Sequence, residues 1–204
     1  WIPRIPEIKS SLGLSDGHFG LLLLASTFGA VPAAQLSGRI VHMYSSKIVV
    51  RIAGVTLPLG VSIMGIAQNV PTLALGLFIC GFSVAFMDVA LNSQAIAIEE
   101  HTQGRWMSTF HGLWSIGAFF AALIGGLIAN FVSPKVNLLA MSALCFISYF
   151  FKCNVAVFSD IYGLLYVLAF NFGTNIVLGI NLPPLNDTPA SVKIISEPSL
   201  PYIA

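Results

Sequence analysis

Asp88 is the residue whose type and surroundings most demand a chemical explanation. Between Ile52 and Ile98 it is the only Asp, Glu, Lys or Arg. A carboxylate among apolar side chains over that length costs several kcal/mol unless it meets water, a partner or a proton. Asn92 follows four residues later, on the same face if the segment is helical, and Gln94 is close behind. Such a set can carry a proton or bind a cationic or hydroxylated solute. It can equally form a structural hydrogen bond that fastens one helix to its neighbour. His111 offers an imidazole, whose ordinary titration near neutrality suits proton relay or a bond to a solute hydroxyl. A packing histidine satisfied within a bundle fits the same position.

Other chemistries lack their residues. Cys80, Cys145 and Cys153 are scattered without metal-ligand spacing, so no metal and no cofactor are implied. No Gly-rich phosphate loop follows a strand, and no Ser/His/Asp set can be placed, so an enzyme is not expected. A net charge of +1 gives no pull toward nucleic acid.

The elements that position these side chains are set by composition. The 204 residues are 56% hydrophobic and only 8% charged, with a mean hydropathy of +0.88. Soluble domains carry roughly a quarter of their residues as charged groups. So few charges cannot cover a water-facing surface, and the solvent for most of this chain is lipid.

A helix needs about 20 apolar residues to cross roughly 30 Å of hydrocarbon. The first such segment runs from His18 to Gly38. Two more share the uncharged stretch from Ile52 to Met87, divided at Gln68-Asn69-Val70-Pro71, and the pattern continues past Asp88 to about Ile98. Others cover Trp106 to Phe131 and Val136 to Phe151, and a weaker one lies between Ile161 and Leu182. An open sheet cannot satisfy its backbone in lipid and the runs are too long for barrel strands, so the fold class is all-α, a polytopic transmembrane bundle. Arg39, Lys47, Arg51, Arg105 and Lys152 fall on one side, and Arg4, Lys9 and Lys135 on the other. That bias places the loop after the first full span in the cytoplasm.

Small residues repeat every four positions at Ser26, Ala30, Ala34 and Gly38, and again at Gly117, Ala121, Gly125 and Ala129 beside Ala122 and Gly126. In lipid, such ribbons mark faces where helices pack closely. The sequence opens on Trp1, without a signal-peptide n-region, and the start is expected to be missing.

Several motifs carry a family resemblance. Gly38-Arg39-Ile-Val-His42-Met-Tyr-Ser45-Ser-Lys47 resembles the loop signature of the major facilitator superfamily, with His42 in place of its aspartate. Gly117-x-x-x-Ala121-Ala122-x-x-Gly125-Gly126 resembles that superfamily's fifth-helix motif, with Ala-Ala replacing Gly-Pro. Trp1-Ile-Pro-Arg4-Ile-Pro6, Leu14-Ser-Asp16-Gly, Asp88-Val-Ala-Leu-Asn92 and Met107-Ser-Thr-Phe-His111-Gly-Leu-Trp-Ser-Ile-Gly117 are similar to the YbjJ/MosC-like bacterial inner-membrane subgroup. The resemblance covers about residues 1–150.

It implies the N-terminal six-helix half of a two-half fold, with the first helix mostly missing. Residues 1–17 would hold the end of the first helix and an outer loop, 18–151 helices two to six, 152–182 a loop and possible seventh helix, and 183–204 a Pro-rich irregular tail. It also implies secondary transport of a small solute by alternating access in the inner membrane, possibly with coupled protons. The substrate and proton cavity would use Asp88, Asn92, His111 and Gln94. Gly38, Arg39, His42 and Lys47 would form the cytoplasmic loop motif. In the family, that basic loop and nearby acids form a charged latch, and Arg39 or Arg51 could pair with Glu99. The partners implied are the lipid bilayer, the solute and the absent C-terminal half-bundle, without which the fragment should not transport. The competing expectation is a non-transporting membrane scaffold or a degenerate, truncated gene product.

Overall fold

The computed structural model describes residues 1–153. Most of the 152–182 segment, with its possible seventh helix, and the Pro-rich tail 183–204 lie outside the described residues.

A 3-10 turn at Ile2–Arg4 opens the chain and leads into α1, Ile5–Ser11. Five longer helices follow: α2 Asp16–Met43, α3 Ser46–Gly65, α4 Val70–Thr102, α5 Trp106–Ala129 and α6 Pro134–Cys153. No strand occurs among the described residues. Among the described residues, four helices, α2 to α5, are long and apolar enough to cross a membrane. The apolar part of α6 is shorter, Pro134–Ile147.

The boundaries follow from local chemistry. Ser15 accepts the His18 amide at 3.3 Å and caps α2. Asn69 accepts the Thr72 amide at 2.9 Å, so the Gln68–Pro71 turn signal is the start of α4. Gln103, at φ 53°, ends α4 in the left-handed conformation.

Cross-helix contacts set the directions. Ser37 of α2 donates to the Phe86 carbonyl of α4 at 2.7 Å, and Ser26 of α2 lies against Gly81 of α4. Both indices rise together, so α2 and α4 run parallel. Ser83 of α4 bonds Thr56 of α3 at 2.7 Å, and a side chain at Gly76 would meet Met64, so those two helices run antiparallel. Ser142 of α6 bonds Ser62 at 2.6 Å and the Pro58 carbonyl at 2.7 Å, which docks α6 on the far side of α3. One end of the bundle therefore carries the opening turn and the α3–α4 and α5–α6 turns. The other carries the α2–α3 and α4–α5 turns.

The α2–α4 seam is the tightest packing. A Cβ at Gly29 would collide with the Phe78 carbonyl, and one at Gly81 with the Ser26 carbonyl. The buried stripe on α2 is Gly29, Ala33 and Ser37. Of the small ribbon expected at Ser26, Ala30, Ala34 and Gly38, Ser26 meets the seam through its backbone and Gly38 is exposed, while the fully buried stripe lies one residue earlier along the helix. Two overlapping four-residue repeats of small side chains run along α2, and the one holding Gly29 admits the closer backbone approach.

Candidate functional site

A partly open cavity of about 350 Å³ lies beside the opening turn, walled mainly by apolar side chains. That volume is within the range of small-ligand sites. α3 contributes Leu57 and Val61, α4 contributes Val84, Met87, Asp88 and Leu91, and α6 contributes Asn137, Leu138 and Met141. The α5 wall is Trp114, Ala118, Ala121, Ala122, Ile124, Gly125 and Ile128.

Asp88 stands on this wall 18 residues into α4, roughly 27 Å along the helix from its start. Asn92, one turn on, donates its Nδ2 to Asp88 Oδ2 at 3.2 Å. That bond holds one carboxylate oxygen and leaves Oδ1 for a second partner. Met87 and Ala90, beside Asp88 in sequence, are fully buried, whereas Asp88 itself is exposed. The helical turn rotates the carboxylate out of the packed seam and toward the open space.

The other expected site residues are placed elsewhere. Asn92 reaches the cavity only through Asp88. Gln94 faces α3, where its Nε2 donates to Ser46 Oγ at 3.1 Å, so it serves the α2–α3 end of the bundle instead of the cavity. His111 is exposed and lies one turn before Trp114, outside the cavity wall.

The α5 ribbon also corrects the expectation. Gly117 is buried, but Ala121, Ala122 and Gly125 line the cavity, and a Cβ at Gly126 would meet nothing within 4 Å. Gly125 does pack, but on Pro3 of the opening turn, 3.3 Å from its would-be Cβ. Small residues on α5 widen a cavity here where those on α2 close a seam.

At the α2–α3 end, Gly38, Arg39, His42 and Lys47 are all exposed. Glu99, expected to meet Arg39 or Arg51, instead accepts the Met107 amide at 2.8 Å. The carboxylate at the C-terminal end of α4 thereby caps the first turn of α5, where the helix dipole favours a negative charge. Trp106 Nε1 donates to Thr102 Oγ1 at 2.8 Å and tightens the same turn.

Arg4, which the sequence puts on the side opposite the α2–α3 loop, is 1% exposed and lines the cavity. Its Nη1 donates to Glu7 Oε2 at 2.9 Å and to the Ala129 carbonyl at 3.1 Å, and its Nε to Asn137 Oδ1 at 3.3 Å. Pro3 and Pro6 flank Arg4 and restrict the backbone of this short turn.

A family model described as Major Facilitator Superfamily matches residues 2–162. An uncharacterized transporter, y4wD, of Sinorhizobium fredii is 32% identical over 66% of this chain and 36% of its own length. An uncharacterized MFS-type transporter of Yersinia pestis is 34% identical over 63% of this chain and 33% of its own length. Membrane protein MosC of Rhizobium meliloti is 29% identical over 68% of this chain and 35% of its own length. The chain spans about a third of the length of the curated relatives it matches. No solved structure matches.

Proposed function

Since the chain belongs to the Major Facilitator Superfamily, we propose that it supplies one half of a secondary transporter that moves a small solute by alternating access. The two halves rock about a site near the bilayer midplane, and this chain provides one wall of the path. The bilayer in question is the inner membrane, and the opposing wall comes from a second half-bundle. Asp88 is the group that meets the solute or a coupled proton.

The observation that carries this reading is the position of Asp88. It is the one acid between Ile52 and Ile98, and it lines a cavity instead of a helix–helix seam. A carboxylate that only locked α4 to a neighbour would be bonded to another helix. Its hydrogen bond is to Asn92 of its own helix, which orients the group without fastening it to a partner. Intramembrane carboxylates facing open space serve ion and substrate paths. Solute uptake into vesicles by the full-length protein, with Asp88→Asn in parallel, tests the assignment. Unchanged uptake in the variant removes it.

A further inference from the structure

We propose that the α2–α3 end of the bundle docks an anionic phospholipid, with its phosphodiester at Arg51 and an acyl chain along the outer face of α3. None of the residues involved lines the cavity, so the site is separate from Asp88 and from transport.

The first observation is a set of cations without acids. Between Asp16 and Asp88 the chain carries no Asp or Glu, yet Arg39, Lys47 and Arg51 all fall around the α2–α3 turn. All three are exposed, as is Arg105 in the α4–α5 turn at the same end. The acids described at this end are Glu99 and Glu100, and Glu99 is occupied by the Met107 amide. Arg39 and Arg51 have no carboxylate partner among the described residues. The opposite end differs, because there Arg4 is paired with Glu7 and Lys9 with Asp16.

The second observation is where Arg51 stands. α3 has 20 residues, about 30 Å of helix, which matches the thickness of the hydrocarbon core. Arg51 is five residues past Ser46, about 7.5 Å along the axis, so its backbone lies below the headgroup boundary. A cation at that depth extends its side chain back toward the lipid phosphates. The exposed apolar side chains of α3 are Ile48, Ile52 and Leu59, whose spacing of four and seven makes one lipid-facing stripe. Arg51 borders that stripe, and Lys47 lies one turn before it. Tyr44, exposed at the turn, suits the headgroup level.

These two features select the ligand. A soluble anion would use the cations and ignore the stripe, whereas a phospholipid uses both. Arg39, Lys47, Arg51 and Arg105 outnumber the two acids at their end, so a headgroup carrying only its phosphodiester charge gains more than one that adds an ammonium. Phosphatidylglycerol has that chemistry and phosphatidylcholine does not.

The test is native mass spectrometry of the detergent-solubilised chain, titrated with phosphatidylglycerol and with phosphatidylcholine of identical acyl chains. The parent chain should bind phosphatidylglycerol at least about fivefold more tightly. Arg51→Gln should remove about fivefold of that affinity, and Arg51→Lys, which keeps the charge, should retain most of it. Lys135→Gln makes the same charge change on an exposed residue at the opposite end and should shift binding by less than about twofold. Equal affinity for the two lipids overturns the site, as does a loss at Lys135→Gln matching that at Arg51→Gln. Displacement of the lipid by an equal concentration of soluble glycerophosphoglycerol would also overturn it, since the acyl chain would then contribute nothing.

Discussion

Asn92 Nδ2 and Asp88 Oδ2 are 3.2 Å apart, one turn apart on α4, so the carboxylate reaches the cavity already held by one of its oxygens. The pair lies on the helix that also forms the tightest seam of the bundle, with its active side turned away from that seam. The consequences can be measured separately.

Asp88→Asn keeps shape and hydrogen-bonding capacity but removes the charge. In the full-length protein we expect uptake to fall at least about tenfold, the effect of losing a single charge-assisted contact. Asn92→Ala should give a smaller, few-fold loss, because it frees the carboxylate without removing it. Equal effects from both changes would place the chemistry on the pair and not on Asp88.

The α2–α4 seam predicts a sharp contrast between two glycines of one helix. Gly29→Leu drives a side chain into the Phe78 carbonyl and should destabilise the bundle by about 3 kcal/mol or prevent folding. Gly38→Leu meets open space and should change stability by less than about 0.5 kcal/mol. Thermal unfolding of the detergent-solubilised chain reads both. A severe loss at Gly38 would return the seam to the expected ribbon.

Glu99 separates a helix cap from a charged latch. Glu99→Ala should cost about 1 kcal/mol, while Glu99→Gln, which can still accept the Met107 amide, should cost less. Arg39→Ala should be silent in the same unfolding assay, since Arg39 is exposed and Glu99 is occupied elsewhere. A double-mutant cycle between Arg39 and Glu99 with coupling above about 0.5 kcal/mol would reinstate the latch.

Ala118 and Phe119 are adjacent on α5, but Ala118 lines the cavity while Phe119 is an exposed apolar side chain outside it. In a background without native cysteines, Ala118→Cys in membranes should react with a water-soluble maleimide several-fold faster than Phe119→Cys. Faster labelling at Phe119 would mean that the outer face of α5, not the cavity, is the wet one.

Ser142 contributes in a different way. Its hydroxyl bonds the Pro58 carbonyl and Ser62, tying α6 to α3. Hydrogen bonds between membrane helices average about 0.6 kcal/mol, so Ser142→Ala should lower stability by roughly that amount and leave uptake intact.

The bilayer-spanning character of α2 to α5 was legible in the sequence, because long runs without ionic side chains have no soluble explanation. The break before α4 was legible too, because Asn69 and Pro71 act locally on the backbone. Asp88 stood out for the same reason, as a charge with no cheap place in lipid. The roles of His111 and Gln94 were not legible. Spacing along one helix gives a face, but which face meets open space depends on where the other helices stand.

The buried guanidinium of Arg4 shows the limit most clearly. Its burial requires Ala129 and Asn137, more than a hundred residues away, to close around it. Likewise, small residues on α2 and α5 look alike in the sequence, but one ribbon closes a seam and the other opens a cavity. The sequence determined the solvent, the helices and the lone acid, because those follow from transfer energies and local hydrogen bonding. Tertiary structure alone decided which small faces touch and which polar groups share a space, because both are set by contacts between segments distant along the chain.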